Sequence, residues 1–148
     1  MRNESEPILV VEDEGLIAVL LKEVLADLGL KPKVFNEGEP ALASLEATRY
    51  SAAVLDLGLP DLDGNKIVNA LLARDPLFRI VLTTGLDPQE VEERYAHAPN
   101  VRVLSKPFDI AMLEDELALL DIARPARRPP MRVTKGNLSD FVDVRMIA

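Results

Sequence analysis

The 148-residue chain is 48% hydrophobic and 28% charged, with a formal net charge of −8. That size suits one ordinary domain with its own core, and the composition is that of a soluble globular protein rather than a disordered one. The acidic balance disfavours nonspecific nucleic-acid binding, and the lack of cysteine excludes disulfides, thiolate metal sites and cysteine nucleophiles. No apolar run is as long as a membrane span, and the polar start Met1-Arg2-Asn3-Glu4-Ser5-Glu6-Pro7 has no signal-peptide core. A cytoplasmic location without membrane insertion is therefore expected.

Short apolar runs alternate with helical patterns from Ile8 to about Leu119. Ile8-Leu9-Val10-Val11 reads as a strand buried on both faces. Leu16, Leu20, Val24 and Leu28, flanked by Ile17, Leu21 and Leu25, repeat at helical spacing, and these leucines are expected in the core. Gly29 closes that helix. Lys31 to Phe35 is a weaker strand, followed by a helix from about Glu39 to Ala47 and the strand Ala52–Leu55. A helix over Asn65–Arg74 ends at Asp75-Pro76. Then come the strand Ile80–Leu82, a helix over Pro88–Ala96, the strand Val101–Leu104 and a helix over Ile110–Leu120. Five strand–helix pairs with short loops predict an α/β fold, a five-stranded parallel sheet wound on both faces by helices. Past Ile122 the chain becomes basic and proline-rich through Arg124-Pro125-Ala126-Arg127-Arg128-Pro129-Pro130, which no helix crosses intact. Residues 1–122 are thus read as the domain, and 123–148 as a linker and C-terminal arm too short to be a second one.

In an open parallel sheet, ligands bind at the carboxyl ends of the strands where the winding direction reverses. Glu12 and Asp13 follow the first strand, and Asp56 follows the third. Thr83-Thr84 ends the fourth, and Ser105-Lys106-Pro107 ends the fifth. Three carboxylates gathered at one edge repel by several kcal/mol per pair, on the order of 332/(ε·r) at a surface-like dielectric. A hard divalent cation removes that repulsion, and an all-oxygen set suits Mg²⁺ better than zinc. Lys106 adds a compact positive charge. Asp61 and Asp63 are assigned to the turn after Asp56 rather than to a metal, and His97, the single histidine, to the solvated surface.

Four segments carry a resemblance: Val10-Val11-Glu12-Asp13-Glu14, Asp56 to Gly64, Leu82-Thr83-Thr84-Gly85, and Ser105-Lys106-Pro107-Phe108. In order and spacing they resemble the signature segments of the response-regulator receiver family, over roughly residues 7–120. The resemblance implies a doubly wound, flavodoxin-like (βα)5 receiver fold. It also implies that Asp56 accepts a phosphoryl group from a histidine kinase or a histidine phosphotransfer protein. Asp13, Asp56 and the Gly58 carbonyl would then ligate Mg²⁺ directly, with Glu12 acting through water. Thr84 would bind the phosphoryl group, Lys106 would pair with it, the Lys106-Pro107 bond would be cis, and Gly64 would permit the turn after Asp56.

The chain departs from that pattern at Val103, where the family commonly has Tyr or Phe, so its usual aromatic switch is missing. Thr84-Gly85 resembles single-domain receivers of alphaproteobacterial stress-response phosphorelays, but Leu86 replaces the aromatic residue common there. Gly58 and Leu86, two positions after Asp56 and Thr84, cannot pass a proton to water. Slow loss of phosphate is therefore expected, with no turnover of an external substrate. Haloacid-dehalogenase-type hydrolases need an acid at the position of Gly58. A dinucleotide fold needs glycines where Glu12-Asp13-Glu14 stands. With no effector domain read in the sequence, a phosphate shuttle or sink is expected. The alternative is a degenerate receiver regulating a kinase by contact alone. The basic arm is read as a self-docking or homodimer-forming element, and no DNA partner is expected.

Overall fold

The computed structural model describes residues 6–123 and the short strand 146–147. Five parallel strands form one sheet: β1 (Ile8–Val11), β2 (Pro32–Phe35), β3 (Ala52–Asp56), β4 (Ile80–Thr84) and β5 (Val101–Ser105). Their order is β2-β1-β3-β4-β5, so the winding reverses between β1 and β3. The helices are α1 (Gly15–Asp27), α2 (Gly38–Ser44), α3 (Gly64–Arg74), α4 (Pro88–Arg94) and α5 (Ile110–Leu119). This is the five-stranded, doubly wound fold expected from the sequence.

Alternation along the strands splits the core into two layers, because successive side chains point to opposite faces. Leu9, Val11, Ala53, Leu55, Ile80 and Leu82 pack under α2, α3 and α4 with Ala41, Ile67, Val68, Val91 and Tyr95. Ile8, Val10, Ala52, Val54, Val81 and Leu104 pack under α1 and α5 with Ile17, Leu21, Leu25, Leu113 and Leu117. β1, β3 and β4 are buried along their whole length, which is why they read as unbroken apolar runs.

Not all of α1 is core, contrary to the reading of its leucines. Leu16 is 76% exposed and Val19 53%, while Ile17, Leu21 and Leu25 are buried. One helix face can meet the sheet, and the apolar pattern is wider than that face. Gly29 ends α1 as expected. It sits at φ +85°, donates to the Ala26 carbonyl at 3.0 Å, and lets Leu30 N–H reach the Leu25 carbonyl at 3.0 Å.

A two-residue strand not anticipated from the sequence, β6 (Phe108–Asp109), follows Lys106-Pro107 and pairs antiparallel with β7 (Met146–Ile147). The proline-rich linker lies outside the described residues, as does the rest of the arm.

Gly64 is needed for a different reason from the turn conformation expected of it. It is not among the residues with positive φ. A Cβ there would lie 2.9 Å from the Asp56 carbonyl oxygen and 2.9 Å from the Leu57 Cα, so the start of α3 can approach the end of β3 only without a side chain. Gly64→Ala should lower unfolding stability by about 1–3 kcal/mol in urea denaturation. Gly15→Ala, whose Cβ would meet nothing within 4 Å, should be neutral or mildly stabilising.

Candidate functional site

The reversal between β1 and β3 opens a crevice at their carboxyl ends, and the chain places an acid at each lip. Asp56 is the last residue of β3 and is 5% exposed. Glu12 and Asp13 link β1 to α1; Glu12 is buried at 1% while Asp13 is exposed. One carboxylate oxygen from each of Glu12, Asp13 and Asp56 lies within 4.8 Å of the others.

Lys106 arrives from the end of β5, and its backbone N–H donates to the Thr84 carbonyl at 2.8 Å. Its ammonium is 3.2 Å from Glu12 Oε2 and 3.1 Å from Asp56 Oδ2, and its bond to Pro107 is cis. The other Asp56 oxygen, Oδ1, accepts from Gly58 N–H at 2.9 Å. Both oxygens of Asp56 are therefore held by donors, which fixes the carboxylate in the crevice. Glu12 is held further by Glu14 N–H, which donates to Oε1 at 3.2 Å.

One ammonium does not balance three carboxylates. Burial and the neighbouring Asp56 charge push the Glu12 carboxyl up to about 7, against the opposing pull of Lys106. Asp13 is raised too, by burial first and then by its hydrogen bond with Asp56 and that group's charge. Burial would lower Lys106, but the charges of Glu12 and Asp56 outweigh it and the ammonium is raised. These shifts mark an excess of negative charge that a hard cation fits, in a pure oxygen donor set. Glu12, Asp13 and Asp56 together form the group that could hold such an ion. Lys106 pairs with two of them, Glu12 and Asp56.

Thr84 is 1% exposed, and its hydroxyl accepts from Leu86 N–H at 2.9 Å. Added atoms at Gly85 would meet open space, so the backbone beside Thr84 is accessible. Thr83 pairs in register with Asp56, and its buried hydroxyl has no hydrogen-bond partner among the described residues. Val103 is half-buried against the layer under α2, α3 and α4.

Asp61 and Asp63 serve the loop. Asp61 accepts from Gly38 N–H and Glu39 N–H, both at 2.8 Å, and these bonds hold its carboxyl below the usual range. Asp63 caps α3 through Asn65 N–H. The capping of α2 by Asp61 spans 23 residues, so no local pattern announces it. A further contact absent from the sequence reading is Asn36, whose amide donates to the Glu12 carbonyl at 3.2 Å. His97 is exposed, as expected. A separate cleft, lined by Leu45, Arg49, Tyr50, Arg74 and Asn100, opens at the opposite edge of the sheet.

Comparison with known proteins agrees with this architecture. Residues 8–118 match the response regulator receiver domain family. The transcriptional regulatory protein QseB of Haemophilus influenzae is 30% identical over 113 residues, covering 76% of this chain and 51% of that protein. Sporulation initiation phosphotransferase F of Bacillus subtilis is 27% identical over 111 residues, covering 75% of this chain and 90% of that protein. The solved structure of the response regulator TrrA from Thermotoga maritima, in complex with Mg(2+)-BeF, superposes with a TM-score of 0.66 at 26% identity, over 78% of this chain and 98% of that one. The chain spans about half the length of QseB but nearly all of the smaller relative. The chain belongs to the response regulator receiver domain family. Among the described residues no helix is long and apolar enough to cross a membrane.

Removing the Lys106 ammonium should expose the charge imbalance. Lys106→Met leaves two buried carboxylates unpaired, so unfolding free energy should fall by about 3 kcal/mol in metal-free buffer. Millimolar Mg²⁺ should restore part of that loss, as read in a thermal melt.

Proposed function

We propose that this protein is a phosphoryl acceptor of a two-component pathway, with Asp56 as the nucleophile. The observation that carries the reading is the Asp56 carboxylate, fixed by Gly58 N–H and the Lys106 ammonium beside two further acids. A carboxylate oxygen of Asp56 attacks phosphorus, and the bond from phosphorus to the donor's ring nitrogen breaks. The nitrogen keeps the electron pair and takes a proton from water. Lys106 then pairs with the new phosphoryl oxygens, and the Thr84 hydroxyl turns from Leu86 N–H to donate to one of them. Asp13, Asp56 and the Gly58 carbonyl are the proposed Mg²⁺ ligands, with Glu12 acting through water. Bound Mg²⁺ would neutralise charge on the transferring group.

The donor is a sensor histidine kinase or a histidine phosphotransfer protein. Leu16 and Val19 stand three residues apart on α1, directly after Asp13, and Leu86 is 62% exposed beyond Thr84. Apolar side chains at this rim of an acidic crevice suit a partner that buries them around the reacting groups. The domain, residues 1–122, is proposed to act as a shuttle or sink for phosphate in a stress-response relay, in the cytoplasm. Val103 supports that choice, since no aromatic side chain stands on β5 to carry a switch to the outer face. The contact-only alternative requires an incompetent acceptor; Asp56 beside Lys106, with Thr84 at the end of β4, supports a competent one.

Incubation with acetyl phosphate and Mg²⁺ should add one phosphoryl mass to the intact protein and none to Asp56→Ala. No labelling of the wild type, by acetyl phosphate or by any sensor kinase tried, would leave the contact-only reading standing. Neither Gly58 nor Leu86 can relay a proton to an attacking water. The phosphoryl group should therefore persist for minutes or longer, and a half-life of seconds would contradict this account.

A further inference from the structure

The β6 strand has features that phosphoryl transfer does not require. It begins two residues after Lys106 and is anchored twice. Phe108 is fully buried in the layer under α1 and α5, and Asp109 caps α5 by accepting from Met112 N–H at 2.8 Å. A strand edge presents backbone donors and acceptors that another strand can pair with. Here the partner is β7 of the same chain: Ile147 stands opposite Phe108, and Met146 opposite Asp109.

Charge favours that occupant. Residues 1–122 contain 11 Lys and Arg against 23 Asp and Glu, whereas residues 123–148 contain six against two. A cationic arm is drawn to an anionic body, and Arg145 immediately precedes the strand in sequence. Tethering makes the encounter intramolecular, and closing a connection of this length costs only logarithmically more than closing a shorter one. Two paired residues are a small contact, so docking and release lie within reach of a modest change at the edge.

That edge is mechanically joined to the acid cluster. Lys106 holds Glu12 and Asp56 with its ammonium and the Thr84 carbonyl with its backbone N–H, and Phe108 lies two residues on. We propose that β7 is an intramolecular ligand of the Lys106–Asp109 segment, and that its docking opposes occupancy of Asp56 by a phosphoryl group. The proposal rests on the phosphoryl-acceptor reading. With Lys106 paired to Glu12 and Asp56, the segment takes the form that β7 fits. A tetrahedral anion on Asp56 redirects Lys106 and disfavours that form. Linkage is reciprocal, so the arm weakens anion binding by the factor by which the anion weakens docking. Phosphorylation would thus release a basic, apolar-tipped arm, giving an output that does not pass through Val103.

The test uses the full chain, beryllofluoride with Mg²⁺ as the phosphoryl mimic, and the double variant Met146→Pro, Ile147→Pro, which deletes both strand N–H groups. Both described core layers are built from residues 8–122, so the variant leaves them intact. Amide exchange at Ile147 in the wild type should accelerate several-fold on adding the mimic. The variant should bind the mimic at least about threefold more tightly. Equal or weaker binding by the variant, or unchanged exchange at Ile147, overturns the proposal. Should neither protein bind the mimic, the phosphoryl-acceptor reading fails and the linkage with it. Protection of the Phe108 and Asp109 amides then decides the docking alone: its loss in the variant supports docking, and its persistence overturns it. A two-chain mass that halves in the variant would put β7 on a second copy and overturn the intramolecular form.

Discussion

The Lys106 ammonium is shared between Glu12 and Asp56, at 3.2 and 3.1 Å, while a third carboxylate, Asp13, stands within 4.8 Å of both. Much of the fold maintains this unequal arrangement. The strand order brings the ends of β1 and β3 together, and the parallel register sets β4 and β5 beside them, so four separate loops meet at one edge. Gly64 lets α3 begin against the backbone of Asp56 and Leu57, and Asp61 ties the loop after Asp56 to the start of α2. The acids are thereby kept at a buried edge, and burial first, then the neighbouring Asp56 charge, raises the Glu12 carboxyl to about 7. A site with this excess of negative charge gains from a cation.

The parts of this arrangement legible in the sequence were those with local signals. Buried parallel strands appear as apolar runs, and the acids directly after β1 and at the end of β3 mark the crevice by position. Boundaries erred where chemistry and geometry diverge. β3, β4 and β5 run one or two residues further than their apolar cores because they end in Asp56, Thr83-Thr84 and Ser105, which are polar for the sake of the site. The helices α2 and α4 stop earlier than their patterns. Glu46, Ala47 and Ala96 bond three residues back rather than four, and periodicity does not separate those two cases. The exposed Leu16 and Val19, the long-range cap by Asp61 and the β6–β7 pair depend on contacts between distant segments, so no window of sequence contains them.

Val103 narrows how the protein signals. An aromatic residue on β5 could swing between a buried and an exposed pose. A β-branched valine has one strongly restricted torsion and little reach. It stays against the layer shared by α3 and α4, and Tyr95, which bonds the Asn65 side chain, already fills that layer with a buried ring. Phe108, two residues after Lys106, packs instead in the layer under α1 and α5.

Three crevice carboxylates beside a single lysine ammonium are proposed to bind one divalent cation. Calorimetric titration of metal-free protein with Mg²⁺ tests this most directly, in wild type and in Asp13→Asn. The account predicts one binding site in the wild type and loss of measurable binding in the variant. Equal Mg²⁺ affinity in the two proteins, or no binding by the wild type at millimolar Mg²⁺, would contradict it.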